Sequence, residues 1–186
     1  MHISMKSIAA FFFLVIGAAL PLAAENTPAT EPLNATVPAD FVQHKASDGS
    51  TIKAPPGWTE KAPPNPQIAL MIMADDKQSY VTLVMAKIPP IKDLKPVVEA
   101  SIQQVSGMVQ KFKLLDKKYF KLNGLEAAQF EYTATAQSID FHFRQIIIAT
   151  PTGACVVMFT IPAGKFDKYG KVMDPMLVSL AVKKEG

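Results

Sequence analysis

Few residues in this chain could do chemistry, and their spacing limits what that chemistry is. Cys155 is the only cysteine. A thiol nucleophile would need an imidazole base and an orienting acid, and His142 with Asp140 are the available pair. Cys155, however, sits inside Ala154–Ile161, "ACVVMFTI", a run that reads as a buried strand. Apolar surroundings raise a thiol's pKa and leave it inert, so Cys155 is expected to be core and no catalytic residue is assigned. No Gly-x-Ser-x-Gly elbow, Gly-x-Gly-x-x-Gly loop or Walker lysine occurs, so the sequence signatures of a serine hydrolase or a nucleotide site are missing. Metal ligation needs clustered nitrogen or sulfur donors. Beyond the N-terminal leader only His44 and His142 remain, and Asp75-Asp76 is too thin an acidic loop for calcium. Neither a metal nor another cofactor is expected.

The densest polar set lies in Leu125–Thr150. If this stretch reverses at Gln137-Ser138, register counting pairs Ala134 with Phe141, Tyr132 with Phe143 and Ala128 with Ile147. The same register sets Thr135 opposite Asp140, Thr133 opposite His142 and Glu131 opposite Arg144. One face is then aromatic and the other polar, and a one-residue slip would scramble both. Glu131, Thr133, Thr135, Asp140, His142 and Arg144 are therefore the candidate partner-binding residues. The alternative is a plain solvated sheet face. Beyond Gln145 that face turns apolar at Ile146 and Ile148, so something should cover that end and leave the polar tip open. Trp58, the single tryptophan, stands in "APPGWTEKAPP". It reads as a structural anchor at a strand end rather than a stacking platform, because tryptophan usually buries its large area. Met71, Met73, Met85 and Met158 would line a soft pocket for a lipid or other small apolar ligand, or serve as core filler.

The elements that must position these residues follow from periodicity. Phe41–Lys45 and Thr51–Ala54 read as strands around a Ser47–Ser50 turn. Ile68–Met73 and Tyr80–Ile88 read as strands apolar on both faces, which implies a sheet covered on both sides. Leu94, Val97, Val98, Ser101, Ile102, Val105, Met108 and Val109 recur at three- and four-residue steps, the mark of an amphipathic helix. Phe112–Phe120 is a further strand, and Asn123-Gly124 suits a tight hairpin. Lys165–Val182 places Phe166, Tyr169, Met173, Met176, Leu177 and Leu180 on one helical stripe. Pro175 should kink or restart that helix, with Asp174 as cap.

The N-terminus carries Lys6, then the apolar run Ile8–Leu20, then small residues, which predicts a secretory signal peptide over residues 1–24 cut after Ala24. The run is short for a membrane span, so no stable membrane anchor is expected after cleavage. Residues 25–40 are rich in Pro, Thr and Ala and read as a disordered or extended leader. Residues 41–184 form one domain. The whole sequence has 19 basic against 16 acidic residues and a single arginine, Arg144. Without a basic block, nucleic-acid binding is not expected. With one cysteine the domain must be held by its core rather than by disulfides.

Ala54-Pro55-Pro56-Gly57-Trp58, Asn123-Gly124-Leu125 leading into Phe130–Tyr132, and Leu177-Val178-Ser179-Leu180 occur in an order that resembles the PsbP-like fold family, and within it the exported bacterial DcrB-like proteins. The resemblance covers Phe41 to Lys184 and includes no catalytic motif. It implies an α+β fold, an antiparallel sheet sandwiched between helices, with one central amphipathic and one C-terminal helix. It also implies a binding or assembly role without chemistry. The expected function is that of a soluble, non-enzymatic periplasmic protein that binds another envelope protein. Carriage of a small apolar ligand is the second reading, and a Cys155-dependent enzyme the third.

Overall fold

The computed structural model describes residues 31–183. The expected signal peptide, residues 1–24, lies outside them. In chain order the elements are β1 (Val42–Lys45), β2 (Thr51–Ala54), β3 (Thr59–Glu60), β4 (Ile68–Met73), β5 (Tyr80–Ala86), α1 (Leu94–Met108), β6 (Gln110–Leu122), β7 (Leu125–Ala136), β8 (Ile139–Thr150), β9 (Gly153–Pro162), α2 (Phe166–Tyr169) and α3 (Met173–Val178). Seven strands make one antiparallel sheet in the order β3-β4-β5-β9-β8-β7-β6, and β1 pairs with β2 in a separate ribbon.

The expected pairing of β7 with β8 is present residue for residue. Glu131 opposes Arg144, Thr133 opposes His142 and Tyr132 opposes Phe143. Gln137 and Ser138 both take positive φ, 51° and 66°, at the reversal, the twist a two-residue hairpin turn requires. The aromatic face continues as a ladder. Tyr132 stacks on Phe143 with centroids 4.8 Å apart and on Phe130 at 5.7 Å.

Both faces of the sheet are covered, as the doubly apolar strands imply. On one face α1 sets Leu94, Val98 and Val105 against Phe130, Tyr132, Phe143 and Val156. Asp93 caps this helix by accepting from the Lys95 amide at 2.9 Å. On the other face the β1–β2 ribbon and the C-terminal segment close over Leu83, Ile146, Ile148, Val157 and Phe159, with Tyr169, Met173, Met176 and Leu177 in contact. Gly153 sits where β9 starts alongside the end of β5. A Cβ there would lie 2.1 Å from the Ala86 carbonyl oxygen.

The C-terminal helix differs from expectation. Lys165–Val182 is broken into α2 and α3, with single 3-10 turns at Ala163–Lys165 and Gly170–Val172. Of the two expectations for Pro175, it does not kink the helix, but the helix does restart just ahead of it, at Met173. Pro175 lies third in α3, within the first turn, where a backbone N–H has no intrahelical partner to lose. Asp174 is no cap either. Val172 occupies that position without a side-chain bond. Leu180 is buried but lies past the helix, and Ala181 exchanges backbone bonds with Thr51 at 2.8 and 2.9 Å.

Ordered pairing also begins ahead of Phe41. The Leu33 amide donates to the Lys121 carbonyl at 3.0 Å, and the Lys121 amide donates to Glu31 at 3.3 Å. Residues 31–33 thus run as an extended piece along the far end of β6, with Leu33 against the core.

Candidate functional site

The polar face of β7 and β8 is less open than its sequence implies. Glu131 is its centre. Arg144 Nε approaches Glu131 Oε1 at 2.8 Å, His142 Nε2 meets Oε2 at 2.8 Å, and Gln129 Nε2 donates to Oε1 at 2.9 Å. Arg144 Nη1 reaches on to Asp174 of α3 at 2.6 Å. Phe166 of α2 lies flat on the His142 ring, with centroids 3.6 Å apart and planes 10° from parallel. Side-chain exposure is 13% for Glu131, 11% for Arg144 and 9% for His142. The expected open, solvated tip is therefore corrected at these three residues. The C-terminal segment roofs them, and Arg144 is paired with Glu131 and Asp174 of this same protein. Burial alone would raise the Glu131 carboxyl, but the His142 bond and the Arg144 charge outweigh it and hold that carboxyl below its ordinary range. Thr133 is half-buried, while Thr135 and Asp140, joined at 2.5 Å, remain at the hairpin end.

The remaining candidates take structural places. Cys155 is fully buried, and burial pushes its thiol far above the ordinary range. Its distance from His142 is set by strand geometry. His142 pairs with Ile161, six positions along β9 from Cys155, which is about 20 Å at the usual rise per residue. No relay joins them. His44 Nδ1 meets Glu60 at 3.0 Å. The Asp75-Asp76 loop ties down the C-terminal segment. Asp75 accepts from the Tyr169 hydroxyl at 2.5 Å, and Asp76 pairs with Lys165 at 3.1 Å. Among the described residues no group of three His, Cys, Asp or Glu side chains could hold a metal ion. Trp58 is 7% exposed and meets Tyr169 edge to face at 5.8 Å.

Two further features stand out, the first with no counterpart among the expected site residues. The first is the outer edge of β6. This strand neighbours β7 alone within the sheet, and among the described residues only Glu31 and Leu33, both at Lys121, bond to its other edge. It carries Lys111, Lys113, Lys117, Lys118 and Lys121 against the single acid Asp116, and Leu114 and Leu115 are 39% and 45% exposed. Lys117 bonds to Glu99 and Lys121 to Glu126. The signal was present in "KFKLLDKK", where lysines flank leucines that find no helix to face. The second feature is a cleft of about 290 Å³ between α1 and the β5–β9–β8 part of the sheet. Of the four methionines named for a pocket, Met85 and Met158 line this cleft, whereas Met71 and Met73 are packed in the core.

An antiparallel sheet with one long helix on one face and a C-terminal helical segment on the other defines the class: the chain has the PsbP-like α+β fold. Among solved structures it is similar to PsbP of the cyanobacterium Synechocystis, with a TM-score of 0.61, 14% identity, and coverage of 78% of this chain and 94% of that one. It is also similar to the Ran-binding protein Mog1p of Saccharomyces cerevisiae, with a TM-score of 0.57, 11% identity and coverage of 76% and 95%. A Pseudomonas aeruginosa protein of unknown function follows at a TM-score of 0.52, with 10% identity and coverage of 79% and 100%. No family model and no curated protein matches the sequence. Among the described residues no helix is long and apolar enough to cross a membrane.

Proposed function

We propose that this chain is an exported, non-catalytic binding domain whose open β6 edge captures an extended, acidic segment of an envelope protein. The observation that carries the reading is the edge itself. It is thirteen residues long, bears five lysines and one acid, and exposes two adjacent leucines. An unpaired strand offers a row of donors and acceptors that an extended peptide completes, while side-chain pockets and charge select the partner. The bonds from residues 31–33 to Lys121 support the idea that this edge accepts extended chain. Lysine excess also argues against a second copy of the same strand, because like charges would face each other across the joint. Thr135 adjoins the edge through its pairing with Gln110, so Thr135 and Asp140 fall at the rim of the proposed surface. A yeast protein with this fold is named for binding Ran, so the scaffold can carry a protein interface. Export rests on the charged and apolar N-terminal pattern.

The test uses a short synthetic peptide alternating Glu with Val, followed by amide NMR of the full domain. Saturable shifts confined to Gln110–Lys118 are expected. A double reversal of Lys111 and Lys113 to Glu should weaken binding at least tenfold without lowering the melting midpoint, since both side chains are exposed. Shifts elsewhere, or equal binding of a Lys-Val peptide, would refute the edge as the site.

A further inference from the structure

The cleft beneath α1 contains two polar side chains that the fold leaves without a bond. Thr82 of β5 and Gln145 of β8 stand either side of Met158 of β9 in one cross-strand row. Each is only 4% exposed and each lines the cleft. No hydrogen bond to another described residue holds either side chain, and neither is among the sealed polar groups, so their polar ends open into the cleft. The other uncharged polar residues on the wall are Asn65, Gln67, Ser101 and Gln104, and the Ser101 hydroxyl is already used, donating to the Val97 carbonyl at 2.8 Å. The rest of the wall includes Val84, Ile88, Val105 and Val156. A carboxamide that opens into a cleft is free to bond a ligand's polar head, whereas an apolar residue of similar size would serve packing alone. With Thr82 and Thr160, Gln145 is one of few polar residues on a sheet face otherwise aliphatic and aromatic, and of the three Thr82 and Gln145 line the cleft, which points to a ligand there.

We propose that this cleft binds a single-chain aliphatic molecule whose neutral head group carries both a hydrogen-bond donor and an acceptor. The carboxamide of Gln145 offers one of each, and the Thr82 hydroxyl can act as either. A primary amide or an alcohol satisfies both residues at once. A carboxylate does not, because Lys87 is the only charged side chain on the wall and it is exposed. At about 30 Å³ per non-hydrogen atom, the share of one water in the liquid, a volume of about 290 Å³ holds on the order of ten such atoms. That corresponds to a medium-length chain with its head at Gln145 and its tail between Val105 and Val156. The site lies on the opposite sheet face from the Glu131 cluster and is independent of the β6 edge.

Decanamide is the probe, titrated into the full domain and followed by calorimetry and melting midpoint. Saturable binding is expected, with at least tenfold loss in Gln145→Leu and a smaller loss in Thr82→Val. Free of ligand, both variants should melt no lower than the parent, because each removes an unmatched polar group. Three results would overturn the assignment. They are no saturable binding, equal affinity in parent and Gln145→Leu, and tighter binding of decanoate than of decanamide. Failure of Gln145→Leu to fold would also overturn it, since that would mean the carboxamide is bonded in the native protein.

Discussion

Replacing Arg144 by methionine removes the cation between Glu131 and Asp174 while keeping most of the aliphatic stem. What remains is a carboxylate at 13% exposure, held by His142 at 2.8 Å and Gln129 at 2.9 Å. Stranding one member of a buried pair costs about 3–5 kcal/mol. The bond to Asp174 adds little, because that side chain is 42% exposed and screened by solvent. The two surviving bonds to Glu131 place the expected loss at the low end, about 3 kcal/mol. In a domain of this size that is a fall of about 6–12 °C in the melting midpoint. The pH dependence gives a second constraint. The Glu131 carboxyl is depressed in the folded protein, so its stabilisation is present above its unfolded pKa and is lost as pH falls through the folded value. The gap between parent and Arg144→Met should therefore be widest near neutral pH and narrow in acid, once Glu131 is protonated in both. Urea unfolding followed by Trp58 fluorescence reads the effect, and Glu131→Gln with Arg144→Met completes a double-mutant cycle. A gap that stays constant from neutral to strongly acid pH, or a double variant whose loss equals the sum of the single losses, would refute the argument that these groups form one coupled unit.

Trp58→Ala should lower stability by about 3–5 kcal/mol, since the indole fills the ribbon-side core against Tyr169; equilibrium unfolding followed by circular dichroism measures it, and a loss under about 1 kcal/mol would favour a surface role. Cys155 should resist thiol reagents in native buffer and react fully in denaturant, as its buried thiol is held protonated; stoichiometric labelling of the native protein within minutes would contradict this.

The β7–β8 register was legible because two alternating patterns, aromatic on one face and polar on the other, had to agree at every pair. The amphipathic repeat from Leu94 onward likewise specified α1 and the face it buries. What covers the polar strand face was not legible. Phe166 and Asp174 lie far along the chain from His142 and Arg144, and their types alone do not reveal that they meet them. A kink or restart of the C-terminal helix was expected at Pro175, but the break falls earlier, at Gly170–Val172. The stripe from Phe166 to Leu180 kept helical spacing, but Gly170 lies against the Phe166 ring, where an added Cβ would come within 3.2 Å, and the chain tightens there into a 3-10 turn. β3, two residues long, has no periodicity to read. Gln145 passed as one more polar residue in a strand, because burial against α1 exists only once β8 is flanked by β7 and β9.

The strand order carries a consequence for how the molecule is made. β6 to β9 fold back on one another through short turns, but β5 finds its inner neighbour only in β9, near the end of the chain. Until residues 153–162 pair with β5, the β4–β5 hairpin has a bare, apolar border, and an unpaired border of that kind invites pairing with another chain. Completing the sheet therefore rests on one long-range pairing, β5 with β9, that joins its two halves.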